Sequence, residues 1–155
     1  MKPRIATGAA VAPELRGISE WINSGPLTLA SLRGNVVLVW FWTFGCVNCQ
    51  NVRPYVKRWD DRYRARGLVT IGVHTPEFDF EKDPENVREQ VARLGITFPV
   101  ALDPDFTTWD AYANRYWPAF YFIDRAGRLR HAQFGEGQYE RAEAVIEELL
   151  AETPS

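Results

Sequence analysis

Val36-Val37-Leu38-Val39-Trp40-Phe41-Trp42 leads through Thr43-Phe44-Gly45 into Cys46-Val47-Asn48-Cys49, and the reading of the chain turns on this stretch. Its first seven residues are apolar, carry no charge and include three β-branched valines. A short continuous run of this kind reads as a strand buried on both faces, as strands of a parallel sheet are. Arg33-Gly34-Asn35 before it is a turn signal. Beyond the cysteines, Val52, Tyr55, Val56, Trp59 and Tyr63 fall at i, i+3, i+4, i+7 and i+11, which is one face of a helix. Arg53, Lys57, Arg58, Arg62 and Arg64 cover its other side and read as a solvated face. Pro54 lies inside this helix and is expected to kink it.

Further elements follow in alternation. Leu68–His74 is a second buried-strand pattern. Asp83-Pro84 joins an N-cap to a proline at the first helical position; Val87, Val91 and Leu94 supply the stripe and Gly95 the stop. A strand over Phe98–Leu102 and a short helix near Phe106–Tyr112 come next. Ala119–Ile123 and Leu129–Phe134 flank the turn Asp124-Arg125-Ala126-Gly127, a hairpin signal. A last helix buries Ala142, Val145, Ile146, Leu149 and Leu150. The order predicts an α/β domain with a central mixed sheet and helices on both faces.

Composition narrows the function classes. At 155 residues the chain is sized for one domain. A formal net charge of −2 excludes a nucleic-acid binder working through bulk positive charge. Hydrophobic residues at 46% and charged ones at 25% exclude a disordered chain. No apolar run approaches the roughly 20 residues of a membrane span. Met1-Lys2-Pro3-Arg4 is basic, but Ile5 to Pro13 offers no apolar signal core, so residues 1–13 are expected to be a flexible tail ahead of a domain over 14–152.

The two cysteines sit too close together to staple a secreted scaffold, but they are spaced for chemistry. Cys46 at a helix N-terminus faces unpaired N–H groups and the positive end of the macrodipole, and both favour its thiolate. Cys49, one turn in, is expected to be more buried and to keep its proton longer. That asymmetry suits disulfide exchange, in which Cys46 attacks and Cys49 resolves. Zinc would need four ligands, and His74 and His131 lack paired-ligand spacing. Covalent haem attachment would need histidine where Gln50 stands. No metal and no bound cofactor are expected.

From Trp21 to Leu150 the chain resembles thioredoxin-like thiol-disulfide oxidoreductases, specifically the TlpA-like domain at the C-terminus of DipZ-type proteins. The resemblance is carried by Val36 through Cys49, Gly72-Val73-His74-Thr75-Pro76-Glu77-Phe78, Tyr116-Trp117-Pro118-Ala119 and Gly135-Glu136-Gly137. It implies a thioredoxin-like fold, Cys46 as nucleophile, Cys49 as resolving thiol, and Pro118 as the cis-proline facing the dithiol. Pro54 matches the kink proline of the thioredoxin active-site helix. Proline at a strand start next to a site is tolerated because its missing N–H is not needed there, and only an X–Pro bond adopts cis readily. The backbone of Trp117 would then be an edge for an extended substrate, although its indole is equally well read as core.

Two departures stand out. Thioredoxins carry a buried acid six residues before the first cysteine, and here that position is Trp40. Proton handling for Cys49 must fall elsewhere. If the first two long strands are parallel, the loop with Glu77 and the strand end with Glu136 emerge on the dithiol's edge, and these are the candidate proton carriers. His74 reads better as a ring capping or packing at the strand end. The second departure is the neutral Val47-Asn48 dipeptide, which points to an intermediate or reducing protein. Trp42, Phe44, Phe78 and Trp117 are expected to form an apolar rim for docking.

The partners expected are a protein disulfide or dithiol substrate and an electron-donor protein, with the chain itself a monomer. Two alternatives stand beside this reading. Thr43, three residues before Cys46, is shared with the peroxiredoxin pattern, but Val39 replaces that pattern's proline. A thioredoxin-fold binding module without turnover is the other. Similar domains often work outside the cytoplasm; the compartment stays open between that and the cytoplasm.

Overall fold

A computed structural model gives the fold over residues 9–153, so residues 1–8 of the expected tail lie outside the described residues. The strands are β1 (Glu20–Ile22), β2 (Val36–Trp42), β3 (Leu68–His74), β4 (Val100–Leu102), β5 (Ala119–Ile123) and β6 (Leu129–Phe134). The helices are α1 (Val47–Tyr63), α2 (Pro84–Arg93), α3 (Thr107–Ala111) and α4 (Tyr139–Ala151). The six strands form one sheet in the order β1-β4-β3-β2-β5-β6. β2, β3 and β4 run parallel, whereas β1, β5 and β6 pair antiparallel with their neighbours.

All seven residues of β2 are buried. Alternate side chains feed two cores, because a strand sends successive side chains to opposite faces. Val36, Leu38, Trp40 and Trp42 meet α1, α2 and α4 through Val52, Val56, Trp59, Val87, Val91, Val145 and Ile146. Val37, Val39 and Phe41 meet Trp109 of α3, Tyr112, Leu29 and the N-terminal segment on the other face. Large aliphatic or aromatic side chains fully buried in this way each contribute about 1.5–3 kcal/mol, so β2 is the spine on which both layers depend.

The described end of the expected tail is docked. Ala12 N–H donates to the Gly127 carbonyl at 2.9 Å, Leu129 N–H to the Ala10 carbonyl at 3.0 Å, and Ala12 is buried. The turn between β5 and β6 leaves backbone groups unpaired, and residues 10–12 satisfy them. Ala10 and Ala12 are thus hydrogen-bonded to the β5–β6 hairpin.

β4 begins at Val100 instead of Phe98, since Pro99 has no N–H to give the ladder. β1 was not anticipated; it pairs Glu20 with Leu102 and Ile22 with Val100, and Asn23 secures it by donating to the Ile96 and Phe98 carbonyls. α1 is one helix across Pro54. Asp83 caps α2 by accepting from Glu85 N–H at 2.9 Å, with Pro84 at its first turn, and Gly95 ends it at φ +67°.

Candidate active site

β2 delivers the chain to the edge of the sheet, and α1 starts there with Cys46 as its N-cap. The Cys46 sulfur accepts from Cys49 N–H at 3.2 Å and faces the Trp117 carbonyl at 3.9 Å. Cys46 is half-buried, Cys49 is fully buried, and the two thiols are unbridged. The Cys46 thiol is lowered to about 7, first by a hydrogen bond from the Cys49 thiol, then by the backbone N–H groups of Cys49 and Asn48; burial and the charge of Glu77 oppose this. Burial, followed by the interaction with Cys46, pushes the Cys49 thiol well above the ordinary thiol range, and the charge of Glu81 adds to this. A capping sulfur ionises easily because the helix N-terminus supplies donors.

Gly45, Cys46, Val47, Asn48, Glu77, Phe78 and Trp117 line an open groove of about 310 Å³ over the nucleophile. The Trp117–Pro118 peptide bond is cis, and Pro118 is buried immediately before β5. The Trp117 indole donates to the Thr75 carbonyl at 2.7 Å and packs on Trp109 with ring centroids 4.2 Å apart. Thr75 in turn donates to Asp103 at 2.9 Å, and Asp103 accepts the N–H groups of Thr108 and Trp109 at the start of α3. A buried polar chain thus runs from α3 to the groove wall.

Of the expected rim, Phe78 is exposed beside Cys46, Trp117 is half-buried on the facing wall, and Phe44 is half-buried, stacked on His74 at 5.6 Å. Trp42 is not on the rim. It is 1% exposed and stacked on Trp40 at 5.0 Å, because alternation along β2 turns it into the core. Trp40, in place of the thioredoxin acid, is equally buried, so this position is wholly apolar apart from the indole N–H.

Glu77 is exposed on the groove, whereas Glu136 accepts from Asn51 of α1 at 3.2 Å and does not line it. His74 is buried and held neutral, lowered to about 4 by burial; its Nε2 accepts the Phe44 N–H at 3.3 Å and lies 3.3 Å from the Thr43 hydroxyl. The Thr43 hydroxyl is buried, with the His74 ring as a hydrogen-bond partner.

Glu81 escaped the sequence reading. It follows Phe78 in a 3-10 turn, Asp79–Glu81, and is 1% exposed. Its carboxylate accepts Gly45 N–H at 2.6 Å, Glu77 N–H at 3.0 Å and Phe78 N–H at 2.8 Å. Asp103 and Thr75 were likewise missed; an aspartate ahead of a short helix was the one available signal. A larger groove on the outer face of α1, lined by Arg53, Lys57, Arg58 and Arg62, holds no thiol. No group of three or more His, Cys, Asp or Glu able to hold a metal occurs among the described residues.

A strand–CxxC–helix unit opposite a cis-proline loop on a mixed sheet defines a thioredoxin-like oxidoreductase. Residues 11–132 match the AhpC/TSA family, and the chain belongs to it. It is 51% identical over 142 residues to Protein DipZ of Mycobacterium tuberculosis, covering 90% of this chain and 20% of that protein. It is 36% identical to the thiol-disulfide oxidoreductase YkuV of Bacillus subtilis, covering 91% of this chain and 95% of YkuV. The crystal structure of a thioredoxin-like superfamily protein superposes with a TM-score of 0.87 at 31% identity, over 95% of this chain and all of the other. The chain therefore spans about a fifth of the DipZ proteins it matches. No helix among the described residues is long and apolar enough to cross a membrane.

Proposed function

We propose that the domain reduces disulfides in protein partners. The observation that carries this reading is the unequal pair: a half-exposed Cys46 lowered to about 7 beside a buried Cys49 that holds its proton. A thiolate stabilised only this far leaves the disulfide form comparatively favoured, unlike strong oxidants whose thiolates are held several units lower.

The Cys46 thiolate attacks one sulfur of a substrate disulfide lying along the groove. A Cys46–substrate bond forms, the substrate bond breaks, and the departing thiolate takes a proton. Cys49 then gives up its proton and attacks the Cys46 sulfur. The substrate leaves as a thiol, and the Cys46–Cys49 disulfide holds the oxidising equivalents until a dithiol electron-donor protein returns two electrons.

The carbonyl of Trp117 facing Cys46 supports pairing of an extended substrate backbone at Pro118, with Phe78 as an apolar wall. Of the two carboxylates considered as proton carriers, Glu77 is the better placed, because it lines the groove. The domain acts as a monomer with its substrate and donor.

Reduced protein is expected to cleave insulin disulfides. Cys46→Ser abolishes this, and Cys49→Ser accumulates a mixed disulfide on Cys46. No turnover together with no trapped species would overturn the reading in favour of a binding module. Peroxide consumption without a disulfide substrate would favour a peroxidase.

A further inference from the structure

Glu81 stands between two clefts. The residue itself lines a pocket of about 220 Å³ with His74, Pro76, Pro84, Val87 and Leu102. Its three hydrogen-bond donors, Gly45, Glu77 and Phe78, belong to the walls of the other cleft, the groove over Cys46. Gly45 lies on the dithiol side of that groove, while Glu77 and Phe78 lie opposite. One carboxylate therefore spans both walls from behind.

The approach is close enough to dictate the residue before Cys46. A Cβ at Gly45 would come within 2.7 Å of the Glu81 carboxylate and 3.1 Å of the Phe80 ring. Lys82, the nearest cation in sequence, is engaged with Asp79 at 3.2 Å. Glu81 makes no ion pair among the described residues, so backbone N–H groups alone compensate its buried charge. A carboxylate in that position acts electrostatically on its surroundings more strongly than one in water.

We propose that Glu81 is a positioning residue for the resolving step: it fixes the spacing between Cys46 and the Glu77–Phe78 wall, and it places a fixed negative charge against the backbone that leads into the dithiol, 2.6 Å from the Gly45 N–H. The proposal rests on the assignment of Cys49 as the resolving thiol. That charge opposes ionisation of Cys49. The ionisable groups that oppose ionisation of Cys49 are Cys46 and Glu81. Of the other carboxylates of the site, Glu77 lines the groove and Glu136 accepts from Asn51, and both are exposed, whereas Glu81 is buried. Its effect is to keep Cys49 protonated, so that Cys49 does not compete with Cys46 as the nucleophile.

The test uses dithionitrobenzoate. Its first thionitrobenzoate is released when Cys46 attacks it. The second is released when Cys49 loses a proton to solvent and attacks the Cys46 sulfur, breaking the bond to the reagent and closing Cys46–Cys49. For Glu81→Gln, which loses the charge, the pH midpoint of the second release is expected to move down by about half a unit or more. That is about a threefold faster release near neutral pH. Glu81→Asp keeps the charge and should leave the midpoint with the native protein. An unchanged midpoint in Glu81→Gln, an upward shift, or equal shifts in both variants would overturn the proposal; a slower release would make Glu81 a proton acceptor instead.

Amide exchange in the native protein provides a measurement that needs no variant. The Gly45, Glu77 and Phe78 amides should be protected although they lie outside helices and strands, and exchange at free-peptide rates would overturn the clamp. If the native protein gave no second release beyond that of Cys49→Ser, the assignment of Cys49 would fail, and not the role of Glu81 alone.

Discussion

The acidity of Cys46 is assigned above all to a donor on its partner, the Cys49 thiol. Cys49→Ala removes that donor and leaves the Cys49 backbone N–H, which still reaches the sulfur at 3.2 Å. Cys49→Ser replaces the thiol by a hydroxyl that can donate in its place. A hydrogen bond to a charged acceptor contributes about 1.5–3 kcal/mol, which corresponds to roughly one to two pKa units. Cys46 borders an open groove, where water substitutes for part of a lost donor, so the lower end applies. The Cys46 titration, followed by thiolate absorbance or by alkylation rate against pH, should therefore rise by about one unit in Cys49→Ala. It should stay much nearer 7 in Cys49→Ser. Equal values in the two variants would refute the assignment and leave the helix N-terminus as the sole source of the shift.

Two further outcomes follow from the same geometry. Glu77→Gln removes a charge that opposes the Cys46 thiolate, so the Cys46 titration should fall by a few tenths of a unit at low salt. The difference should vanish near 1 M salt, where the screening length is about 3 Å; its persistence there would show a cause other than charge. Asp103→Ala orphans the Thr108 and Trp109 N–H groups and the Thr75 hydroxyl, all buried. At about 1–3 kcal/mol for each unsatisfied group the loss is roughly 3–9 kcal/mol in total, or about 6–36 °C in Tm for a domain of this size. A fall of less than about 3 °C in a thermal melt would contradict the role given to that network.

The parts of the fold that could be read from sequence are those in which local pattern and tertiary fate agree. β2 is a continuous apolar run and β3 a mostly apolar one broken by Thr70 and Gly72, and the observed strands have the ends that these patterns predict. The β5–β6 hairpin announced itself through its turn. β1 did not, because three residues beside Asn23-Ser24-Gly25 carry no periodicity, and pairing with β4, far along the chain, is what makes them a strand.

The site shows the same division. Cys46 and Cys49 were legible from their spacing, and the fold brings Trp117 and Phe78 to them as topology implied. Trp42 was assigned to the rim by adjacency to the cysteines, but pleat alternation, not adjacency, decides where a strand residue points. Glu81 sits in Glu77-Phe78-Asp79-Phe80-Glu81-Lys82, a stretch that reads as a surface loop. Only the folded chain reveals that two of these side chains, Phe78 and Phe80, stack outside while Glu81 turns in.

The central claim is that the two thiols are unequal, with Cys46 poised and Cys49 withheld. Brief alkylation of the reduced, folded protein with iodoacetamide, followed by peptide mass mapping, tests it directly. The account predicts modification of Cys46 with a pH midpoint near 7, while Cys49 stays unmodified until the protein is denatured. Modification of both thiols at similar rates, or of Cys49 first, would contradict it.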